Sequence, residues 1–509
     1  MKPGSLIILN TIVLYIKMAV SIGVSLFSVR IVLSSLGAVD YGIFNVIMGV
    51  IAMLSFLNGA LTTSTQRYLS FYQGQNNTKT LISIFNHSLF LHAILGIIIV
   101  LLLEIGGTYF IDSYLQIPYE RLETAKTVFQ FAIIAVFFTF ISVPYTASIN
   151  ANEQMIFIAI ISILESLGKL FIAILITYIA FEDKLLIYGI GMGCISIFSF
   201  LLYYIICNWK YPECKHIDFT NFNKKLLKDM GIFASWNLVG SFTAISKSQG
   251  IAVLLNMFKG PAINAAYAVA NQVSSQLNYF SVTMIRSINP QIMKAEGSGN
   301  RKRMIYMSLC ACKYGFLLLA FFSIPCLFEM ETILNLWLKD IPEYSVVFCK
   351  FVLLAMMFDQ LTVGINSSFQ ACNLVKISSI YVGAVKILIL PLGYFLLSLN
   401  FSVVSVIILY AFVELFAGFV RLYIASHFLN ISLMDYSRNV LCRIFQPVLF
   451  SIIACSLTSY YLPPTLNFIF TFITSIIVFL IMTYLFSLTF DEKNYVKQTA
   501  FKIKTKWIK

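Results

Sequence analysis

Fourteen long apolar stretches recur along this chain, each closed off by a short polar or Gly/Pro-containing turn. A helix needs roughly 20 mostly apolar residues to cross the hydrocarbon core of a bilayer. Inside that core the backbone must satisfy its own hydrogen bonds, which a helix does within one segment. Only 11% of the 509 residues are charged, against about 25% in a soluble domain. A water-soluble fold has nowhere to hide so much apolar surface, so a cytosolic enzyme and a disordered chain are both excluded. The 46 Phe and 27 Tyr suit lipid and its interfaces. The fold class is therefore all-α, a polytopic membrane protein of fourteen transmembrane helices.

The stretches cover 8–36, 42–62, 81–105, 125–148, 155–181, 185–208, 229–257, 262–290, 305–328, 345–371, 377–398, 401–425, 445–462 and 466–488. The first, from about Ser5, is too long for the apolar core of a signal peptide and is expected to remain as helix 1. An even number of spans puts both termini on one side, and Lys and Arg choose the side. Twenty-one of them fall at the ends and in loops after even-numbered spans, among them Lys210, Lys215, Lys224, Lys225, Lys228, Arg301, Lys302 and Arg303. Four, Arg121, Lys184, Lys259 and Lys339, fall in the opposite loops. The positive-inside rule then expects both termini in the cytoplasm. The net charge of +13 belongs to the inner membrane surface, and no nucleic-acid partner is expected. Cys310-x-Cys312 puts two thiols on different faces of a helix without a His cluster, so neither a metal nor any cofactor is expected.

A weak internal repeat supports two halves. Gly42, Gln66, Gly74 and Asn77 have counterparts at one constant offset in Ala265, Asn289, Gly297 and Asn300, and Asn152 has one at nearly that offset in Asn373. Chance similarity among apolar helices is the alternative. The expected organisation is an N-terminal six-helix bundle over 1–208, a basic cytoplasmic linker over 209–228, and a C-terminal six-helix bundle over 229–427. Helices 13 and 14 follow in 428–490, then a basic cytoplasmic tail over 491–509. A shift by six helices preserves orientation, so the repeats are parallel about an axis along the membrane normal.

Several runs resemble bacterial polysaccharide and O-antigen flippases, members of the multidrug/oligosaccharidyl-lipid/polysaccharide (MOP) exporter superfamily. They are Asn10-Thr11-Ile12-Val13-Leu14-Tyr15, Ser28-Val29-Arg30-Ile31-Val32-Leu33 and Leu36-Gly37-Ala38-Val39-Asp40-Tyr41-Gly42-Ile43-Phe44-Asn45-Val46. Phe56-Leu57-Asn58-Gly59-Ala60, Thr65-Gln66-Arg67-Tyr68-Leu69, Asn289-Pro290-Gln291-Ile292 and Ile333-Leu334-Asn335-Leu336-Trp337-Leu338 extend the resemblance. It runs along most of the chain and is most specific over 1–80. It implies a MATE-like, V-shaped pair of bundles around a central cavity, with helices 1 and 7 flexing. It implies export of a lipid-linked oligosaccharide across the bacterial inner membrane. No diagnostic catalytic motif comes with it.

Charges inside the spans are the candidate site, because each costs about 2.5–3.5 kcal/mol at mid-membrane on insertion scales. The cations are Lys17, Arg30, Lys169, Lys247, Arg286, Lys313 and Lys386, and the acids Glu165, Asp359 and Glu414, a net +4. If they share a cavity, the cavity is cationic. Lys17, Arg30, Lys169, Lys247, Arg286 and Lys386 are the expected substrate-binding residues; Asp359 and Glu414 are candidates for ion coupling. Each has a plainer reading. Glu165 and Lys169 stand four apart in the order that favours a structural ion pair. Arg30, Arg286 and Lys313 lie where snorkelling is available, and Asp359 and Glu414 have Lys350 and Arg421 nearby. His87 and His92 read as buried bundle histidines. Asn237, Ser241, Ser246, Ser248, Gln249, Asn271, Gln272 and Gln276 give helices 7 and 8 a wet face, suited to interhelical hydrogen bonds or to sugar.

The function expected from these residues and the resemblance is flipping of a polyprenyl-diphosphate-linked oligosaccharide for polysaccharide, O-antigen or capsule biosynthesis, without bond chemistry. Its partners would be that lipid-linked oligosaccharide, the bilayer and other membrane proteins of polysaccharide assembly. A multidrug or other lipid exporter of the same fold is the alternative. A membrane-bound polymerase or transferase ranks below it, since the external loops are short and carry no His–acid pair.

Overall fold

The computed structural model describes residues 3–52, 55–113, 117–178, 183–215, 223–338, 340–461, 464–490 and 492–494, and their regular structure is entirely helical. Part of the expected linker, 216–222, and nearly all of the expected tail lie outside the described residues. The long helices are α1 (Pro3–Ala52), α2 (Ser55–Gly74), α3 (Thr78–Leu102), α4 (Leu122–Ala151), α5 (Met155–Tyr178), α6 (Lys184–Lys210) and α7 (Lys224–Lys259). They continue with α8 (Pro261–Gly297), α9 (Arg301–Phe328), α10 (Ser345–Ala371), α11 (Val375–Ser398), α12 (Val403–Leu429), α13 (Cys442–Tyr461) and α14 (Pro464–Met482).

Twelve helices among the described residues are long and apolar enough to cross a membrane. The expected second and eighth spans are not among them. Each continues past its apolar part into a polar stretch, α2 to Gly74 and α8 to Gly297, whereas hydropathy alone ends them at 62 and 290. The start of the second span also merges with the first in α1, bent at Gly37 (φ 78, ψ 171). That positive φ is open to glycine and strained for other residues.

The repeat recurs in the backbone. The turn after α2 has Asn76 at φ 54, and the turn after α8 has Gly299 at φ 76, at the offset that relates Gly74 to Gly297. The turn after α4 uses Glu153 at φ 58 and the turn after α10 uses Asn373 at φ 61. The structural partner of Asn373 is thus Glu153 and not Asn152. The two alignments differ by a single position because φ identifies the left-handed residue, and residue identity does not.

The chain divides into two compact units. The first holds Met1–Ser241 with Asn289–Asn300, and the second Phe242–Ile288 with Arg301–Lys509. The first unit packs a core on Val32, Ile47, Phe129, Ile133 and Ile176, all at most 3% exposed. At one end Arg121 joins three elements: Nη1 donates to Asp183 at 3.0 Å, and Nε donates to Asp40 at 2.8 Å. Asp183 also accepts from Thr124 and N-caps α6 through Leu186. At the other end Glu153 gathers α1 and α8. Its carboxylate accepts from Gln291 at 2.8 Å and Lys294 at 2.7 Å, and its carbonyl accepts from Asn10 at 2.9 Å.

Also in this unit, the ends of α2 and α8 cross with their backbones touching. A Cβ on Gly74 would collide with the Lys294 carbonyl, and one on Gly297 with the Phe71 carbonyl. Phe71 and Lys294 share the offset of the two glycines, so the crossing is symmetric under the repeat. In the second unit, Ile251, Leu255, Tyr267, Phe348, Val406 and Ile407 form the core.

Gly74→Ala and Gly297→Ala should each destabilise by about 1–3 kcal/mol through overpacking, read as a lower Tm in detergent. Gly59→Ala, with open space around it, should leave Tm unchanged. The Arg121 junction sets a pH limit. Burial would raise the Asp183 carboxyl, but the Thr124 hydroxyl, the Leu186 and Leu185 N–H groups and the Arg121 charge hold it below its ordinary value. A depressed carboxyl stabilises above its unfolded pKa, about 3.9, and the benefit fades as pH falls through its folded value. Acid Tm loss below about pH 4 should therefore be smaller in Asp183→Asn than in the wild type.

Candidate functional site

Five charged side chains meet in the second unit. Helix α12 supplies Glu414 and Arg421, with Tyr410 one turn before Glu414 and Arg421 two turns after it, so all three share one face. Helix α10 supplies Asp359 and Thr362, and α7 supplies Lys247. Lys386 comes from α11 just before Leu388, where the helix is interrupted between Ile387 and Ile389. Pro391 lacks the N–H that would bond the Ile387 carbonyl, which accounts for the break.

The contacts form a chain. Lys247 Nζ pairs with Glu414 Oε1 and lies 3.3 Å from the Tyr410 hydroxyl. Lys386 Nζ stands 2.9 Å from both Glu414 Oε2 and Asp359 Oδ1. Arg421 Nη2 donates to Asp359 Oδ1 at 3.0 Å, and Nη1 donates to the Thr362 hydroxyl. Three cations thus share two carboxylates, leaving one positive charge in excess. The side chains of Glu414 and Arg421 are 1% and 3% exposed, whereas Asp359 is 29% exposed. Arg421 Nε is buried without a hydrogen-bond partner among the described residues. The cluster is thus least buried at Asp359 and combines a surplus positive charge with an unused donor, a combination suited to an anion. Nearby on the wet face, Asn271 and Ser248 stand beside the Tyr267 hydroxyl.

The other expected site residues lie elsewhere. Lys169 pairs with Glu165 at 2.7 Å on α5, the structural ion pair open to them from the sequence. They edge a cavity of about 270 Å³ in the first unit, otherwise lined by groups such as Phe44, Met48, Ile51, Phe140 and Met192. Lys17 is half-buried on α1 of the first unit; Arg30 on α1 and Arg286 on α8 are both exposed, in the first and second units respectively. Lys313 is 3% exposed. It does not snorkel, because Glu492 reaches it at 2.9 Å and the Ser487 carbonyl at 3.3 Å. Of the charges counted along the spans, Lys247 and Lys386 are balanced by Asp359 and Glu414, and Lys169 and Lys313 are each neutralised by a partner. The surplus cation of the cluster is Arg421, which that count left out. His87 is buried, with Nδ1 against the Ser83 carbonyl and Nε2 accepting from the Asn223 N–H. His92 is likewise buried, with Nδ1 against the Ser88 carbonyl.

In the sequence Arg421 stands out only as a neighbour of Asp359 and Glu414. The signal that finds it is the one-face spacing of Tyr410, Glu414 and Arg421. Removing a single member of a buried pair costs about 3–5 kcal/mol, because the other charge stays buried alone. Glu414→Gln should therefore cut Tm and folded yield sharply, and adding Lys247→Met should recover part of the loss. Size-exclusion yield and thermal unfolding in detergent measure both.

No family model matches the chain, and no curated protein matches it by sequence. Solved structures do. "MATE transporter ClbM in complex with Rb+" superposes with a TM-score of 0.71 at 11% identity, over 86% of this chain and 96% of that one. "Outward-facing conformation of a multidrug resistance MATE family transporter of the MOP superfamily" gives 0.66 at 15% identity, over 84% and 96%. A MOP superfamily transporter from Pyrococcus furiosus, described under "Reverse polarity of binding pocket suggests different function", gives 0.62 at 13% identity, over 83% and 96%. The chain has the fold of the MATE transporters of the MOP superfamily.

Proposed function

We propose that this protein exports a polyprenyl-diphosphate-linked oligosaccharide across the bacterial inner membrane, with both termini in the cytoplasm. The observation that carries the reading is the surplus cation of the Lys247–Lys386–Arg421 cluster together with the unpartnered Arg421 Nε. A diphosphate cannot enter hydrocarbon with its charge uncompensated. Asp359, the most exposed member, is the anion that an incoming phosphate displaces, taking over Lys386 and Arg421. The guanidinium fork fits phosphate oxygens two at a time, while the ammonium acts as a point charge. Glu414 stays behind and keeps the two lysines charged and in place.

The sugars use the wet faces of α7 and α8, and the polyprenyl tail remains in lipid. Two negative charges moving outward across an inside-negative membrane gain about 4–5 kcal/mol per 100 mV, so the potential itself can drive export. Asp359 and Glu414 then need not couple an ion, being held by cations. The Pyrococcus furiosus transporter, for which a reversed pocket polarity is tied to a different function, is consistent with pocket charge selecting cargo within this fold.

A second reading, multidrug export, is favoured by the mainly apolar cavity of the first unit, which Glu165 edges. The two separate experimentally. Arg421→Ala and Lys386→Ala should each lower flipping of a fluorescent polyprenyl-diphosphate oligosaccharide in proteoliposomes about tenfold or more, the equivalent of one lost charge-assisted hydrogen bond. Arg421→Lys should recover it in part. The Arg30→Ala, Arg286→Ala double variant should lose surface glycan in cells at wild-type protein level. Unchanged flipping in all of these, with export of a cationic dye instead, would transfer the assignment to the drug reading.

A further inference from the structure

His87 is 1% exposed on α3, and both of its ring nitrogens are in use. Nδ1 lies 2.6 Å from the Ser83 carbonyl one turn back, with the Ser83 hydroxyl 3.3 Å away. A carbonyl only accepts, so Nδ1 carries the ring proton. Nε2 faces the backbone N–H of Asn223 at 2.9 Å, a group that only donates. Two backbone groups thus dictate the tautomer, and the bond to Asn223 exists only on a neutral ring.

Asn223 is the residue from which α7 starts. Its side-chain oxygen accepts from the Lys225 and Leu226 N–H groups at 3.1 and 3.2 Å, and its carbonyl from the Leu227 N–H at 3.0 Å. That is an N-cap, and His87 fixes it to α3 across 136 residues of chain. The stretch leading toward it is fastened to the end of α4. Glu213 accepts from Ser148 and Asn152, both at 2.8 Å, and the Tyr211 hydroxyl meets Gln154 at 3.3 Å. Beyond the cap, the Met230 carbonyl accepts from the Ser64 hydroxyl at 3.4 Å, and the Phe233 ring meets Tyr68 edge-on. His87 holds the cap itself, between these two fastenings.

We propose that His87 is a pH-sensitive strap on the start of α7, closed while the ring is neutral and opened by protonation. A solvent proton arriving at Nε2 takes the lone pair that the Asn223 N–H uses, so two donors face each other and the bond is lost. The new charge also stands at the positive end of the α7 dipole. The surrounding charges add to this. Lys224, Lys225 and Lys228 lie in the first turns of α7, Arg67 on α2, Lys79 on α3 and Lys215 before the cap. The acids are fewer: Glu213, already held by two donors, and Asp229, exposed on α7. Cys214 beside Glu213, Tyr68 on α2, Tyr145 on α4 and His92 on α3 are the remaining ionisable groups of the elements packed here. Histidine ordinarily changes charge between about pH 5 and 8, so moderate acidification opens the strap. On the proposed orientation it senses the cytoplasm. It controls the connection between the two halves of the chain and does not depend on what the protein carries.

Amide hydrogen exchange of the purified full-length protein in detergent, corrected for the intrinsic pH dependence of exchange, tests this. From about pH 7.5 to about pH 5.5 the amides of 223–227 should lose about tenfold in protection, while those of α4 keep theirs. His87→Gln offers an acceptor oxygen that does not titrate and should hold protection equal at both pH values. His87→Phe removes the acceptor and should exchange at the higher pH as the wild type does at the lower. Should neither variant fold, the wild type decides. Loosening confined to the start of α7 supports the strap, and loosening spread evenly over α3, α4 and α7 overturns it. Protection at 223–227 that ignores pH in the wild type, or falls equally in His87→Gln, overturns it as well.

Discussion

A charge inside hydrocarbon must bring its counter-charge with it, and the second unit is arranged around that requirement. Glu414, nearly without solvent exposure, is tolerable only because Lys247 and Lys386 take one oxygen each. Lys386 in turn needs Asp359, and Asp359 needs Arg421. Four helices are tied through this one chain of contacts. The continuum argument that buried ion pairs add little net stability does not make them dispensable here, since each member is a liability once its partner is removed. On the proposed reading the chain also selects cargo, because a cluster with one cation in surplus would favour anions over cations.

Packing solves a second problem, that of bringing polar helix ends together. Where α2 and α8 cross, Gly74 and Gly297 let each backbone approach the other's carbonyl, the small-residue device common where helices approach closely in membranes. The same neighbourhood holds Glu153, which collects Asn10, Gln291 and Lys294. Its left-handed φ turns the chain tightly enough to put its carbonyl and its carboxylate to use at once. Arg67, two turns before Gly74, has its guanidinium 4.6 Å from the Tyr68 ring and 5.3 Å from the Phe233 ring. Those aromatic faces stabilise a basic side chain that is itself largely withdrawn from water.

Much of the architecture is legible from composition and periodicity. The succession of apolar helices follows from hydropathy, since lipid leaves the backbone no alternative to a helix. The Glu165–Lys169 pair follows from i,i+4 spacing alone. The polar ends of α2 and α8 do not follow, because a hydropathy window cannot see that a polar stretch continues the same helix. Lys313 illustrates the same limit. Its partner Glu492 lies far along the chain, and no local pattern connects them.

The sequence by itself determined that this chain must be helical and membrane-embedded, and it located most of the ionisable residues inside the apolar stretches. Those properties depend on each segment's own contact with lipid. The tertiary structure decided which charges meet. It gathered Lys247, Asp359, Lys386, Glu414 and Arg421 from four helices and set Lys169 apart against Glu165. The reason is physical: whether a buried charge is a binding group or half of a neutral pair depends on what stands within about 3–4 Å of it, and that distance is set by helix packing between residues far apart in the chain.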